Sequence, residues 1–291
     1  MRHYRMVTSM ISLCGAVAAC LVFTLPANAE MFYDVEIKTI YEDNVIGLLT
    51  DKRGGGKTDS SAAGPVMTSA AVGMGNNAPR NTGSQPRGDF SAYLFADIGD
   101  SRDVSRDTSL FLAASAEHTS YATFTEFDST IGGLGAGVGT KLSDRVTARI
   151  AASGKIKRFE DSQRNSASYG GNLMLKEQIT PRLFFKEIYE YEKNNADSPQ
   201  YSYVGNSISI WAGFLATPRT RVSLGYNVLR RNYDDPSGFF ATSHTVSAAL
   251  EYELAKRWYF DAGLDLVTNH ASEPSTTAED NILSVGIRYS Y

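Results

Sequence analysis

Along most of this chain polar and apolar residues alternate one by one, and no other feature of the sequence restricts the fold so severely. Between residues 33 and 42, Tyr33, Val35, Ile37, Thr39 and Tyr41 alternate with Asp34, Glu36, Lys38, Ile40 and Glu42. Successive side chains of a β-strand point to opposite faces, so each such stretch has one face for apolar surroundings and one for water. Similar stretches recur through Phe90–Ile98, Thr130–Leu142, Arg145–Phe159, Arg221–Tyr233 and Ile282–Tyr291, among others. About twelve strands are expected, several near the ~9–11 residues that a tilted membrane strand requires. The helical period is nearly absent.

The connections carry a second regularity. Short turns are expected at Leu142–Arg145, Ile179–Arg182, Ala216–Thr220 and Leu254–Trp258, and longer polar loops lie between them. An exported sheet with one apolar face cannot leave a strand edge unpaired in lipid, so it has to close on itself. The expected fold is all-β: a transmembrane, antiparallel, up-and-down β-barrel with short turns at the periplasmic end and long loops outside. An even strand count puts both ends of the barrel on the periplasmic side. The competing fold, a soluble sandwich, also alternates but explains neither the strand lengths nor the regular loops.

The N-terminus agrees with export. Arg2, His3 and Arg5 precede an apolar run from Met10 to Leu25, and Pro26-Ala27-Asn28-Ala29 supplies a small-residue cleavage site. Residues 1–29 are therefore read as a secretory signal and 30–291 as the barrel. A lipoprotein site ending at Cys20 is disfavoured because the apolar run continues beyond it. Both cysteines, Cys14 and Cys20, lie inside the signal, which leaves the mature chain no disulfide framework. Removing two arginines from a chain of formal charge −4, with 28 basic and 32 acidic residues, makes the mature chain more acidic. Nucleic-acid binding gains no support from that balance.

The last strand carries a resemblance. In "ILSVGIRYSY" the outward set Leu283, Val285, Ile287, Tyr289 and Tyr291 ends on an aromatic at the final residue. This resembles the terminal signature of bacterial outer-membrane β-barrel proteins, porin-like and of about twelve strands. The resemblance implies a place in the outer membrane of a Gram-negative bacterium. It also implies contact with its lipid and lipopolysaccharide, and recognition of Val285, Ile287, Tyr289 and Tyr291 by the barrel insertion machinery.

With the apolar parity facing lipid, the other parity lines the lumen. Arg149, Lys155, Lys157, Lys176, Arg182 and Lys186 then form a basic wall; Asp34, Glu36, Glu251, Glu253, Asp261 and Asp265 form an acidic one. Neighbours in sequence are neighbours in space in such a barrel, so the two walls face each other, as in a porin constriction. A small porin-like channel for polar solutes is expected from this arrangement. If the charges pair across the lumen and close it, the result is instead a structural or export-associated barrel without transport. Gly133, Gly135, Gly137 and Gly139 fall on the lumen parity of one strand and leave that wall bare. Glu187, between Phe185 and Tyr189, falls on the lipid-facing parity with no evident reason.

Other patterns imitate known chemistry. Gly54-Gly55-Gly56-Lys57-Thr58 looks like the end of a phosphate-binding loop, but Asp51 stands where such a loop needs its first glycine. It falls in a connection rich in Gly, Ala, Ser and Asn, residues 44–87, read as a long flexible outer loop. "GGLGAGVGT" has a strict period of two rather than a dinucleotide fingerprint. His244 and His270 at the outer strand ends make a weak metal pair with no third ligand. His118 and Ser120, two apart on the outward face, are similar to the His-x-Ser of the outer-membrane phospholipase family, in which Ser is the nucleophile and His its base. The family's Asn-Gly after the serine is replaced here by Tyr121-Ala122. That leaves lipid hydrolysis a minor alternative, and no enzyme, metal or cofactor is expected.

Overall fold

The computed structural model describes residues 30–45, 88–234, 239–272 and 278–291. The expected signal, 1–29, and residues 46–87 of the long connection, with its Gly-Lys-Thr, lie outside the described residues. Twelve strands are present among the described residues: β1 Glu30–Glu42, β2 Asp89–Asp103, β3 Thr108–Tyr121, β4 Ser129–Lys141, β5 Val146–Phe159 and β6 Ser166–Thr180. They continue as β7 Leu183–Ala196, β8 Tyr203–Thr217, β9 Thr220–Tyr233, β10 Phe240–Ala255, β11 Trp258–Ala271 and β12 Ala278–Ser290. Each pairs antiparallel with its sequence neighbour, and β12 pairs with β1, so the sheet is a closed up-and-down barrel. Among the described residues no helix is long and apolar enough to cross a membrane.

The strands are 13 to 16 residues long, longer than the expected minimum. At ~3.3 Å per residue and ~45° of tilt, 14 residues rise about 33 Å, while the apolar band is about 25 Å tall. The surplus extends into both rims. Outside, the alternation yields an apolar surface: Ile37 is 62%, Leu134 63% and Ile150 64% exposed. In water such a surface would demand burial; around a closed barrel it is the lipid contact. A closed barrel with this exterior and a charged interior is an integral outer-membrane protein.

The seam between β1 and β12 is closed at the last residue. Tyr291 N donates to Tyr33 O (2.9 Å), and Tyr33 N donates to Tyr291 O (3.2 Å). Tyr33 stacks on Tyr289 and on Tyr291, with ring centroids 5.7 and 5.1 Å apart, and Trp258 meets Tyr289 edge-on at 5.0 Å. Val285, Ile287 and Tyr291 are exposed on the lipid face and Tyr289 is half-buried among these rings. Arg257, in the turn between β10 and β11, has φ of 73°, and its guanidinium lies 3.5 Å from the Tyr291 ring centroid.

Three of the short turns contain only two residues, and each follows a β-bulge: Gln178/Thr180, Leu215/Thr217 and Glu253/Ala255. In two of them the sequence is Thr-Pro-Arg. The Thr180 hydroxyl accepts from Arg182 N (3.2 Å), and the Thr217 hydroxyl accepts from Arg219 N (3.2 Å), a side-chain bond that mimics a backbone turn. This corrects the placement of Arg182. It lies in the turn, exposed at the periplasmic end, and not on the lumen wall.

Candidate functional site

The site is the lumen, and its residues follow from strand parity. Arg149, Lys155 and Lys157 on β5, Lys176 on β6 and Lys186 on β7 project inward, as do Asp34 and Glu36 on β1, Glu251 and Glu253 on β10, and Asp261 and Asp265 on β11. The same parity brings in charges that the sequence reading passed over. Glu190 and Glu192 sit on β7 amid the cations; Lys38, Arg221, Arg231 and Arg288 sit amid the carboxylates. They were legible, since each falls on the inward parity of its strand.

These additions change the electrostatics. Lys157 Nζ lies 2.7 Å from Glu192 Oε1, and Tyr203 donates its hydroxyl to Glu192 Oε2 at 2.8 Å. On the other side, Arg288 reaches Glu251 at 2.6 Å and Asp261 at 3.2 Å, Arg221 reaches Glu251 at 3.2 Å, and Lys38 reaches Glu36 at 2.8 Å. Each wall is thus partly neutralised from within. Polarity remains nonetheless. Away from the exposed strand ends, β5 to β7 carry five inward cations against two carboxylates; β9 to β12 with β1 to β3 carry eleven carboxylates against four cations.

The glycine wall is occupied by its neighbours. Gly137 faces the Phe111 ring, with a Cβ there only 2.5 Å from Phe111 Cζ; Gly133 faces the Ser115 hydroxyl, and Gly139 the Ser109 hydroxyl. Gly135 helps line a small cavity of about 40 Å³ with Phe111, Ser153, Lys155, Asn172 and Glu190, room for a few water molecules. The Phe111–Gly137 arrangement recurs. Trp211 occupies the space a side chain would take at Gly225, Phe184 that at Gly213 and Phe32 that at Gly99, each ring against a glycine of the next strand. Cations then cover several of these rings: Arg149 stands 3.9 Å above Phe111, Lys176 5.0 Å above Phe184 and Lys186 6.0 Å above Trp211. The glycines leave room for the rings against the wall, and the rings in turn hold the cations close to it.

The outer third differs. Arg231, Tyr203, Lys157, Glu42, Val45, Asn269, Thr119 and Asp280, the largest fully buried side chains, all lie at the outer end of the barrel. Three connections enter this region through short 3-10 turns, Thr125–Phe127, Ser162–Arg164 and Pro199–Tyr201. The outer end is therefore the most tightly packed part of the described lumen.

The catalytic and metal candidates face outward. Ser120 Oγ donates to Asp128 Oδ2 (3.3 Å), and His118 Nδ1 lies 3.0 Å from Thr130 Oγ1, so serine and histidine each have a different partner. The His244 and His270 rings meet edge-on at 5.9 Å, and His244 Nδ1 is bonded to the Tyr226 hydroxyl (2.8 Å). Among the described residues no group of three or more His, Cys, Asp and Glu is placed to hold a metal ion. Glu187 is exposed on the lipid face; no physical account of it emerges.

No protein-family model matches this chain, and no curated protein does. Solved structures do. An outer-membrane channel from Pseudomonas putida F1 matches with a TM-score of 0.57 at 7% identity, covering 92% of this chain and 97% of that one. The NanC porin matches at 0.49 with 10% identity, covering 88% and 98%, and a KdgM porin in complex with oligogalacturonate at 0.48 with 11% identity, covering 89% and 99%. At such identities the similarity is one of fold. The chain has the architecture of outer-membrane β-barrel channels.

Proposed function

We propose that the protein is a small porin-like channel for polar solutes, with a basic sector on β5 to β7 facing an acidic sector on the remaining charged strands. What supports this reading is the inward face itself, which carries charge of opposite sign on opposed sectors. A transverse field of this kind orients dipolar solutes and selects against apolar ones. Carboxylates outnumber cations inside, so the pore prefers small cations at low salt, and the preference weakens as salt screens it. Single-channel recording on refolded protein tests the reading. Discrete conductance steps are expected, with ion selectivity shifted by Asp265→Lys and, in the opposite sense, by Lys155→Glu.

The packed outer third favours a second reading, a sealed structural or export-associated barrel. It predicts bilayers that stay electrically silent at every voltage and in every lumen variant.

A further inference from the structure

The described outer loops do not stand clear of the barrel. Val45, Tyr121, Phe127 and Tyr201 form one buried apolar cluster, joined by Phe124 and Ala196. Val45 follows β1, Tyr201 precedes β8, and Ala196 ends β7. In a closed ring of twelve strands β1 and β7 stand half a circumference apart. A single cluster that includes residues from both sides must therefore cross the mouth of the barrel.

The Arg164 guanidinium is held in this layer, its Cζ 4.8 Å from the Phe127 ring centroid and 5.6 Å from that of Tyr201. Below it, the Tyr121 hydroxyl donates to Glu42 (3.0 Å). The bridging residues Phe127, Arg164 and Tyr201 sit on connections rather than on the strand ladder. Moving them leaves the strand ladder intact and parts only the bonds that tie the connections to one another and to the rim, such as Glu160 N to Asp128 O (3.1 Å), Ser198 N to Gln163 O (3.1 Å) and Phe124 N to Asp89 Oδ2 (2.9 Å).

The closed arrangement carries a cost. Arg164 Nη1, Ser166 Oγ and Asn194 Oδ1 are buried with no hydrogen-bond partner among the described residues. Burying a polar atom in that condition is unfavourable, and lifting the connections off the mouth exposes such atoms to water. The apolar contacts, the Arg164–Asp161 ion pair (3.1 Å) and the bonds between the connections favour closure, and the stranded polar atoms oppose it. Segments balanced in this way open locally without unfolding the whole.

We propose that Val45, Phe127 and Tyr201, with Arg164 between the rings, form a lid that closes the outer mouth and swings aside to let solute pass. The lid rests on the channel reading above and adds to it a gate at the outer end. It operates by movement of the connections 122–128, 160–165 and 197–202, while the ladder and the periplasmic half of the lumen stay fixed.

The test is planar-bilayer recording of the refolded barrel, comparing the native sequence with Phe127→Ser/Tyr201→Ser and, separately, with Val45→Ser. The shift of the folded band on unheated gels verifies that each variant has formed the barrel. The native protein is expected to dwell at a low level with brief openings, and both variants to raise the open fraction by on the order of tenfold, with the open-level conductance unchanged. A native protein that conducts steadily, with variants indistinguishable from it, overturns the lid and leaves the channel reading in place. Silence from the native protein and from both variants overturns both.

Discussion

Replacing Lys157 with methionine should be among the most damaging single changes in the barrel, and the structure allows its size to be worked out. The ammonium is fully buried, while the Glu192 side chain that it meets at 2.7 Å is 15% exposed. Methionine keeps the length of the stem and removes the charge. Glu192 then retains the Tyr203 hydroxyl at 2.8 Å. Breaking a buried pair by removing one member costs about 3–5 kcal/mol, because the other charge is left uncompensated. Slight exposure of Glu192, the surviving hydrogen bond and the nearby Lys155 cation place the expected loss at the low end, about 3 kcal/mol. Lys157→Met/Glu192→Gln removes the stranded charge and should recover most of this, ending within about 1 kcal/mol of the native barrel. Denaturant unfolding in lipid vesicles measures it. Trp211, 7% exposed in the lumen, reports on the interior, and Trp258, 48% exposed at the periplasmic rim, reports on the surface. The midpoint should move while the denaturant slope stays constant. A loss below about 1 kcal/mol for the single variant, or a double variant as unstable as the single, refutes the reasoning.

Gly137→Val should destabilise by about 1–3 kcal/mol, since the new side chain must displace Phe111 and crowd the Ile150 carbonyl; a variant as stable as the native barrel in the same assay counts against the ring-on-glycine packing. Asp43, in the loop after β1, loses water contact by partial burial, which raises its pKa, but hydrogen bonds donated by the Asn281 backbone N–H (2.7 Å) and side-chain amide (2.5 Å) help to outweigh this and hold it below its ordinary 3.8. Because the folded value is depressed, its contribution to stability is present above pH ~4 and is lost as pH falls through the folded value. Asp43→Asn should therefore flatten the acid side of the stability profile, and an unchanged acid limb contradicts this. Phospholipid hydrolysis that depends on Ser120 should be absent, because Ser120 and His118 are bonded to Asp128 and Thr130 respectively; hydrolysis abolished by Ser120→Ala would overturn that conclusion.

Parity was legible in the sequence because a period of two survives any error in strand ends. It placed Glu251, Asp261, Lys155 and Lys186 on the inward face, and Val285 and Ile287 on the lipid face. It did not separate Arg182 from the wall: the expected turn Ile179–Arg182 already held that residue, but where the next strand begins is not fixed by parity, and β7 starts only at Leu183, after a bulge and a turn shaped by the Thr180 hydroxyl. Register was equally hidden. Which cation meets which carboxylate depends on pairing between strands, so the Lys157–Glu192–Tyr203 group, drawn from β5, β7 and β8, had no sequence signal beyond shared parity. The occupants of the glycine wall were hidden for the same reason: Phe111 meets Gly137 only in the observed β3–β4 register. The outer cluster was obscured by its setting, since Phe127, Arg164 and Tyr201 lie in polar connections whose few aromatic residues follow no period.

The account depends on alternate residues of each strand meeting lipid and lumen, and single-cysteine scanning of β10 measures this most directly. Cys14 and Cys20 both precede the barrel, and with them replaced no thiol competes, so residues 246–251 can be replaced one at a time in the reconstituted barrel. Positions 246, 248 and 250 should be quenched by a lipid-borne spin label, and positions 247, 249 and 251 should not. Uniform quenching, or quenching at none of the six, would contradict it.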